Sequence, residues 1–468
     1  MTETFDFENR PLIEQTLYKA GKEIEEFFGS YPCLKEVCYG LETAARPAAL
    51  FVGAAFLGTL MTRCTYKFYF QPETLRRLNY AVFIVGDPGT GKSFAAQLYK
   101  ILAEPIIRES RKGMNTMNRY KRKRKQWEDG GMKGDGPKQP HPLIRTHPAR
   151  TSNKVFISDM IHAVDIVDGQ EMNLHMLSFD TELDNATNMQ GEAWNNKFFM
   201  ELKAFHNEED GQFYSNNDSE IGNFYVYWNY VYTGTPDALH HKVNANNIGT
   251  GYATRLAAIP MPSTHFKMLK REKLDSVKEE PEEYKTLRLW AERLDKVHGE
   301  LPIEKLVDCT YEWAGRRMED AEYNQSKTDE LLLKRVPYYG INVSMPFIIM
   351  RHWKEWSEEG TITIDETDER FCMLIMNIQL TCQRHFFGAY WDAYFELGDH
   401  ALPPQKRHTK LMKNRYRLLP SDFCIYDLMD MASIQKRNAE KMLERWLKEG
   451  YIERIETGYY HKVFLELS

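Results

Sequence analysis

No C-x-x-C pair occurs in this chain, and its seven cysteines (Cys33, Cys38, Cys64, Cys309, Cys372, Cys382 and Cys424) are scattered and odd in number. That argues against a disulfide framework, and the spacing cannot build a tetrahedral zinc module. A reduced, cytoplasmic protein is the expectation. No apolar run is long enough to cross a bilayer comfortably. The most apolar stretch, Pro47 to Met61 (PAALFVGAAFLGTLM), reads instead as a buried helix, so no membrane partner is expected. The opening MTETFDFENR is polar and acidic and lacks the basic and apolar regions of a secretory signal. Basic charge is not in excess either: 61 Lys and Arg stand against 67 Asp and Glu, a formal net charge of -6. Any nucleic-acid contact must therefore rest on local patches. There is no internal repeat.

What is present is an ordinary globular composition, 42% hydrophobic and 27% charged, which provides for a sizeable packed core. With 468 residues the chain is long enough for several domains. Residues 11–62 have helical spacing of Leu12, Leu17, Ile24 and Phe27. Tyr80 to Val85 (YAVFIV) reads as a strand and Ser93 to Leu102 as a helix. Between them lies Gly86-Asp87-Pro88-Gly89-Thr90-Gly91-Lys92-Ser93, which matches G-x-x-x-x-G-K-[ST]. Glycines at this spacing let successive N–H groups turn inward toward phosphate oxygens, and the following helix offers its positive N-terminus. Lys92 would reach the β- and γ-phosphates of ATP, and the Ser93 hydroxyl would ligate Mg²⁺.

Such a loop needs an acidic partner at the end of a neighbouring strand. Met176-Leu177-Ser178-Phe179-Asp180 supplies it, with Glu182 two residues on. Asp180 is expected in the Mg²⁺ shell and Glu182 to polarise the attacking water, although Thr181 separates a pair that is usually adjacent. Further elements are expected as a short strand near Val155, a helix over Met160–Val167, a helix over Trp194–Phe205, a hairpin between Phe213 and Tyr225, and a strand over Val226–Tyr232. Strands alternating with helices imply a parallel α/β core. Residues 266–398 look mostly helical. At the C-terminus, a short helix near Leu428, a turn with Ser433 as N-cap, a helix over 434–448 and a hairpin at Thr457-Gly458 form a winged helix-turn-helix pattern.

On these motifs the chain resembles AAA+ ATPases, and more narrowly the MCM-like helicases of bacterial mobile elements. Beside GDPGTGKS and LSFDTE, the resemblance rests on VYWNYVYTGTP and GTGYATRLAAI. It implies an AAA+ P-loop core (76–265) preceded by a helical segment (1–75) and followed by a helical lid (266–404) and a winged helix (405–468). It also implies that Thr235 senses the γ-phosphate, that Arg255 is an arginine finger acting on a neighbouring subunit of a hexamer, and that Arg335 is a lid sensor. Each has a plainer counterpart: Thr235 before Pro236 suits a helix cap, and Arg255 a surface ion pair. One departure concerns the pore hairpin, whose tip here (SNNDSE) has no Lys or Arg.

Two segments favour DNA. Lys436, Arg437, Lys441 and Arg445 project from the side of the final helix opposite Ala439, Leu443 and Leu447, as a recognition helix requires. Arg119 to Lys125 form a basic run beside Trp127, which reads equally as a solvated helix or a disordered arm. His240-His241 and Cys382/His385 lack the further ligands of a metal site and read as structural. The expected function is thus an ATP-dependent DNA motor or replication initiator. The alternatives are a non-motor ATP switch that binds DNA and recruits partners, or a protein-directed ATPase.

Overall fold

The computed structural model describes residues 10–149, 151–181, 192–212, 222–264, 280–396, 415–432 and 436–463. Its centre is a five-stranded, wholly parallel sheet. The strands are β1 (Ala81–Val85), β2 (Thr146–His147), β3 (Met176–Asp180), β4 (Trp228–Gly234) and β5 (Ala257–Pro260), in the spatial order β5-β1-β4-β3-β2. Parallel strands need crossovers that cover both faces, so their side chains are buried on both sides. Every residue of β1, β4 and β5 is buried accordingly.

Alternation along β4 shows what lies on each face. Asn229 donates to Thr59 Oγ1 at 3.0 Å, placing the Arg46–Leu60 helix on that side. Tyr230 and Tyr232 face the other way, toward Tyr252 and Lys242, whose ammonium forms a fully buried 2.6 Å pair with Glu201. The apolar run expected as a buried helix is Arg46–Leu60, with Pro47 in its first turn where no N–H is needed. Among the described residues Thr43–Leu60 is the one stretch long and apolar enough to cross a membrane, and 94% of it is buried inside the protein. Truncating a central side chain such as Phe83 to Ala would cost about 3–5 kcal/mol.

Buried amides join the sheet to the helices. Asn229 Oδ1 accepts from the Tyr80 N–H at 2.8 Å. Asn342, on the Val336–Arg351 helix, donates to Asn79 O at 2.9 Å and accepts from the Tyr66 hydroxyl at 3.1 Å. The Asn79 side-chain amide donates to Phe205 O at 3.0 Å. The apolar core runs without a break from Leu17 to Trp391, across positions 75 and 265. Tyr416 to Tyr460 build a separate cluster. Within it β6 (Asp422–Cys424), β7 (Ile452–Glu456) and β8 (Tyr459–Lys462) form an antiparallel sheet in the order β6-β8-β7, beside the helices Ile425–Ala432 and Lys436–Lys448.

Several expected elements come out differently. Val155 lies in a helix, Asn153–Ile161, because Phe156, Ile157 and Met160 share one buried helical face. The helix expected over Met160–Val167 gives way to an antiparallel pair, Val164–Val167 with Gln170–Asn173. The chain reverses there at Asp168 and Gly169, which have φ of 51° and 80°. The hairpin after Phe205 pairs Glu209–Gln212 with Gly222–Tyr225, and the tip residues Ser215 to Glu220 lie outside the described residues. The basic run belongs to a 26-residue helix, Glu104–Asp129.

Candidate functional site

Glycine sets the path of the Gly86–Ser93 loop. β1 ends at Val85, and Gly86 N–H donates to Gly234 O at the end of β4 at 3.1 Å. A Cβ on Gly86 would lie 2.6 Å from Thr90 Oγ1 and 2.9 Å from Met261 Cβ, so only glycine passes there. Gly89 and Gly91 have φ of 86° and 83°, the left-handed region that side chains disfavour. The chain between β1 and the Phe94–Leu102 helix therefore curls on itself. Thr90 Oγ1 donates to Asp87 O at 2.8 Å. The Lys92 ammonium donates to the carbonyl oxygens of Gly86 and, at 2.8 Å, of Asp87. Asp87, Pro88, Gly89 and Ser93 are exposed.

The sheet register places the other candidates. Tyr232 of β4 is level with both Phe83 of β1 and Asp180 of β3, so the three strands end on one edge. Asp180 is half-buried at that edge. It is not on the strand next to β1, because β4 lies between them, which sets β1 and β3 about 10 Å apart. Glu182 lies outside the described residues. Thr233 is buried and its hydroxyl donates to Thr181 O at 2.8 Å, fixing the chain as it leaves Asp180. The Thr235 hydroxyl accepts from Ala238 N–H at 3.3 Å and caps the Pro236–Lys242 helix, with Pro236 at its first position. Gly86–Ser93, Asp180, Thr233 and Thr235 are thus gathered at the carboxyl edge, where ligands of open α/β sheets bind beside strands whose connections diverge.

The two arginines are not with them. Arg255 lies two residues before the start of β5 and so at the amino edge of the sheet. Its guanidinium donates to Leu202 O at 3.1 Å and lies 3.9 Å from Glu208. Arg335 contacts His206 at 2.7 Å, beside Asn79 and Phe205 at the same amino edge. β1 lies between this group and the Gly86–Ser93 loop, a rise of about 13 Å over its length. Arg335, expected as a lid sensor, thus stands at the opposite edge of the sheet from the loop of its own chain.

At the C-terminus, Lys436, Arg437, Lys441 and Arg445 are all exposed on the Lys436–Lys448 helix, and Arg445 pairs with Glu449 at 2.9 Å. The buried face is Ala439, Met442, Leu443 and Trp446; Leu447, expected on it, is exposed. Ser433 lies outside the described residues. Arg119 and Lys121 to Lys125 are exposed along the Glu104–Asp129 helix. Trp127 Nε1 donates to Lys133 O and Gly134 O at 3.2 and 3.1 Å, so its ring is engaged by the following loop.

One further cluster, His352, Asp365 and Asp368, brings potential metal ligands together. Arg351 already forks onto both carboxylates, at 2.6 Å to Asp365 and 2.8 Å to Asp368, and Tyr31 donates to Asp368 at 2.8 Å. The Arg351 hydrogen bond holds the Asp365 carboxyl down at about 2. This is a satisfied ion network tying helices together. Scanned against protein-family models the chain finds no match, and no curated protein is significantly similar to it.

Proposed function

We propose that the chain is an ATP hydrolase of the AAA+ P-loop kind, similar to the MCM-like helicases of mobile elements, and that it works on DNA as a homo-oligomer, a hexamer by that resemblance. One observation carries the proposal: the glycine-curled Gly86–Ser93 loop leaves β1 at the same sheet edge where Asp180 ends β3. The exposed Ser93 hydroxyl and the half-buried Asp180 carboxylate are oxygen donors suited to Mg²⁺, and the loop's N–H groups suit the triphosphate of ATP. Bound there, Mg²⁺ would draw charge off the phosphate oxygens.

The residues then have separate tasks. Lys92 exchanges the Gly86 and Asp87 carbonyls for phosphate oxygens. Glu182 takes the proton of the attacking water as its oxygen bonds to the γ-phosphorus and the bond to the bridging oxygen of ADP breaks. Thr233 holds the chain that leads to Glu182. Thr235, as a γ-phosphate sensor, would give up its cap on Ala238. Arg255, in a neighbouring subunit, would leave Leu202 O to stabilise the developing charge. The exposed cations of Lys436–Lys448, and of the C-terminal winged helix it belongs to in this reading, would meet DNA phosphates and base edges. Seven free thiols and the enclosed Thr43–Leu60 stretch are in keeping with a cytoplasmic protein.

The test is steady-state phosphate release from ATP with and without single-stranded DNA, with Lys92→Ala as the blank. Loss of turnover in Lys92→Ala together with stimulation by DNA is the expected result. Turnover that survives Lys92→Ala would refute the site. Turnover indifferent to DNA would refute the DNA motor and leave the non-motor ATP switch or the protein-directed ATPase.

A further inference from the structure

At the amino edge of the sheet the chain builds a cleft of about 650 Å³, lined by Phe70, Arg76, His206, Glu208, Lys334, Arg335 and Tyr338 among others. Cations outnumber anions there. The Arg76 and Arg335 guanidinium groups line it, and Arg255 stands behind them, 3.9 Å from the lining Glu208, which is itself 46% exposed. Lys334 at the mouth is paired with Glu330.

The hydrogen bonding is short of acceptors. His206 Nδ1 lies 3.0 Å from Arg76 Nη1, and its Nε2 lies 2.7 Å from Arg335 Nη1. Both neighbours are pure donors, yet a neutral imidazole has one lone pair and one N–H. Only one of the two contacts is a hydrogen bond, and the other sets N–H against N–H. Burial, then Arg335, Arg76 and Arg255, push the ring down to about 3, so it does not relieve the conflict by changing charge near neutrality. Arg76 Nη2 does donate to Gln71 Oε1, but among the described residues the buried Nε atoms of Arg76 and Arg255 have no hydrogen-bond partner. An arginine keeps its charge at any ordinary pH, so the deficit of acceptors persists. A bound oxyanion supplies what is missing: several acceptor oxygens and negative charge in a partly buried setting, where charge-assisted forks are strongest. Phe70, 55% exposed at the rim, offers a face for a flat ring attached to the anion.

We propose that this cleft is a second phosphate site, in which Arg76 and Arg335 fork onto the phosphate group of a nucleotide, free or within a nucleic-acid strand. It stands on different residues from the Gly86–Ser93 loop and on the opposite edge of the sheet. The experiment uses the full chain carrying Lys92→Ala, so that its failure and the failure of ATP hydrolysis are read separately. Tripolyphosphate is titrated calorimetrically at low salt. Saturable binding is expected, weakened about tenfold in Arg335→Gln and in Arg76→Gln, as loss of one charge-assisted contact implies. Unchanged affinity in both variants, or no saturable binding in the parent, would overturn the proposal. A readout that leaves the cleft residues intact is the ring NMR signal of His206, which should titrate at higher pH once tripolyphosphate is bound; a titration that does not move counts against the site. Oligothymidine that displaces tripolyphosphate identifies a strand backbone as the source of the phosphate, and oligothymidine without effect identifies a small free nucleotide.

Discussion

The two edges of the central sheet handle charge in opposite ways. At the carboxyl edge the chain presents backbone: a glycine loop turned on itself, one lysine resting on two of its carbonyls, and one carboxylate two strands away. At the amino edge it presents side chains: guanidinium groups from remote parts of the sequence, crowded around a single imidazole. The first edge depends on local backbone freedom. The second depends on the whole fold holding like charges together, which costs stability unless an anion joins them. A site made from backbone writes a contiguous signature into the sequence, and a site made from distant side chains does not.

The comparison is most exposed to substitutions that act on one edge alone. Lys92→Ala should lower ATP turnover by roughly 10²–10³-fold, the usual scale for losing one preorganised stabilising group, while tripolyphosphate still binds the amino edge. Phosphate release and calorimetry on the same preparation check both halves, and joint loss would merge the two sites into one. Gly86→Ala should destabilise the chain by about 1–3 kcal/mol through overpacking against Thr90 and Met261, read as a lower urea midpoint with unchanged slope. An unshifted midpoint would show the loop to be pliant.

Acid should report on the amino edge. His206 titrates at about 3 when folded and near 6.5 when unfolded. The unfolded chain therefore binds the extra proton first. The stability this ring contributes is complete above about pH 6.5 and is lost as pH falls toward about 3. His206→Gln should lose less stability between pH 7 and pH 5 than the parent, measured by urea unfolding at each pH. Equal losses would place the ring in solvent. The smallest expected effect is that of Thr235→Ala, about 1 kcal/mol of stability from the lost cap. If turnover falls far more than stability does, Thr235 acts on the nucleotide as well as on its helix.

Much of the sheet was legible because β1, β3 and β4 are short apolar runs bounded by polar or glycine residues. Tyr80–Val85, Met176–Phe179 and Val226–Tyr232 were expected and lie within two residues of Ala81–Val85, Met176–Asp180 and Trp228–Gly234. β2 is two residues long and carries no such pattern. The Val164–Asn173 hairpin did announce itself, since Asp168-Gly169 between alternating residues is a strong two-residue turn signal, but the apolar spacing upstream outweighed it. Leu447 was misplaced because the helix turns its larger Trp446 inward, and counting every fourth residue from Ala439 cannot show which of two adjacent apolar side chains wins. The Arg76–His206–Arg335 group left no trace in the sequence: its contacts join residues 130 and 129 positions apart.

Asn79, Asn229 and Asn342 add a last consequence. Each is buried and each has its partners in backbone or side chains of another element. Made correctly, these bonds add little net stability, because water would have offered equivalents. Made one residue out of step, each stranded amide would cost about 1–3 kcal/mol. The three therefore act as a spelling check on assembly. A helix or strand that docks in the wrong frame is rejected on its polar mismatches, even where its greasy surface would have fitted almost as well.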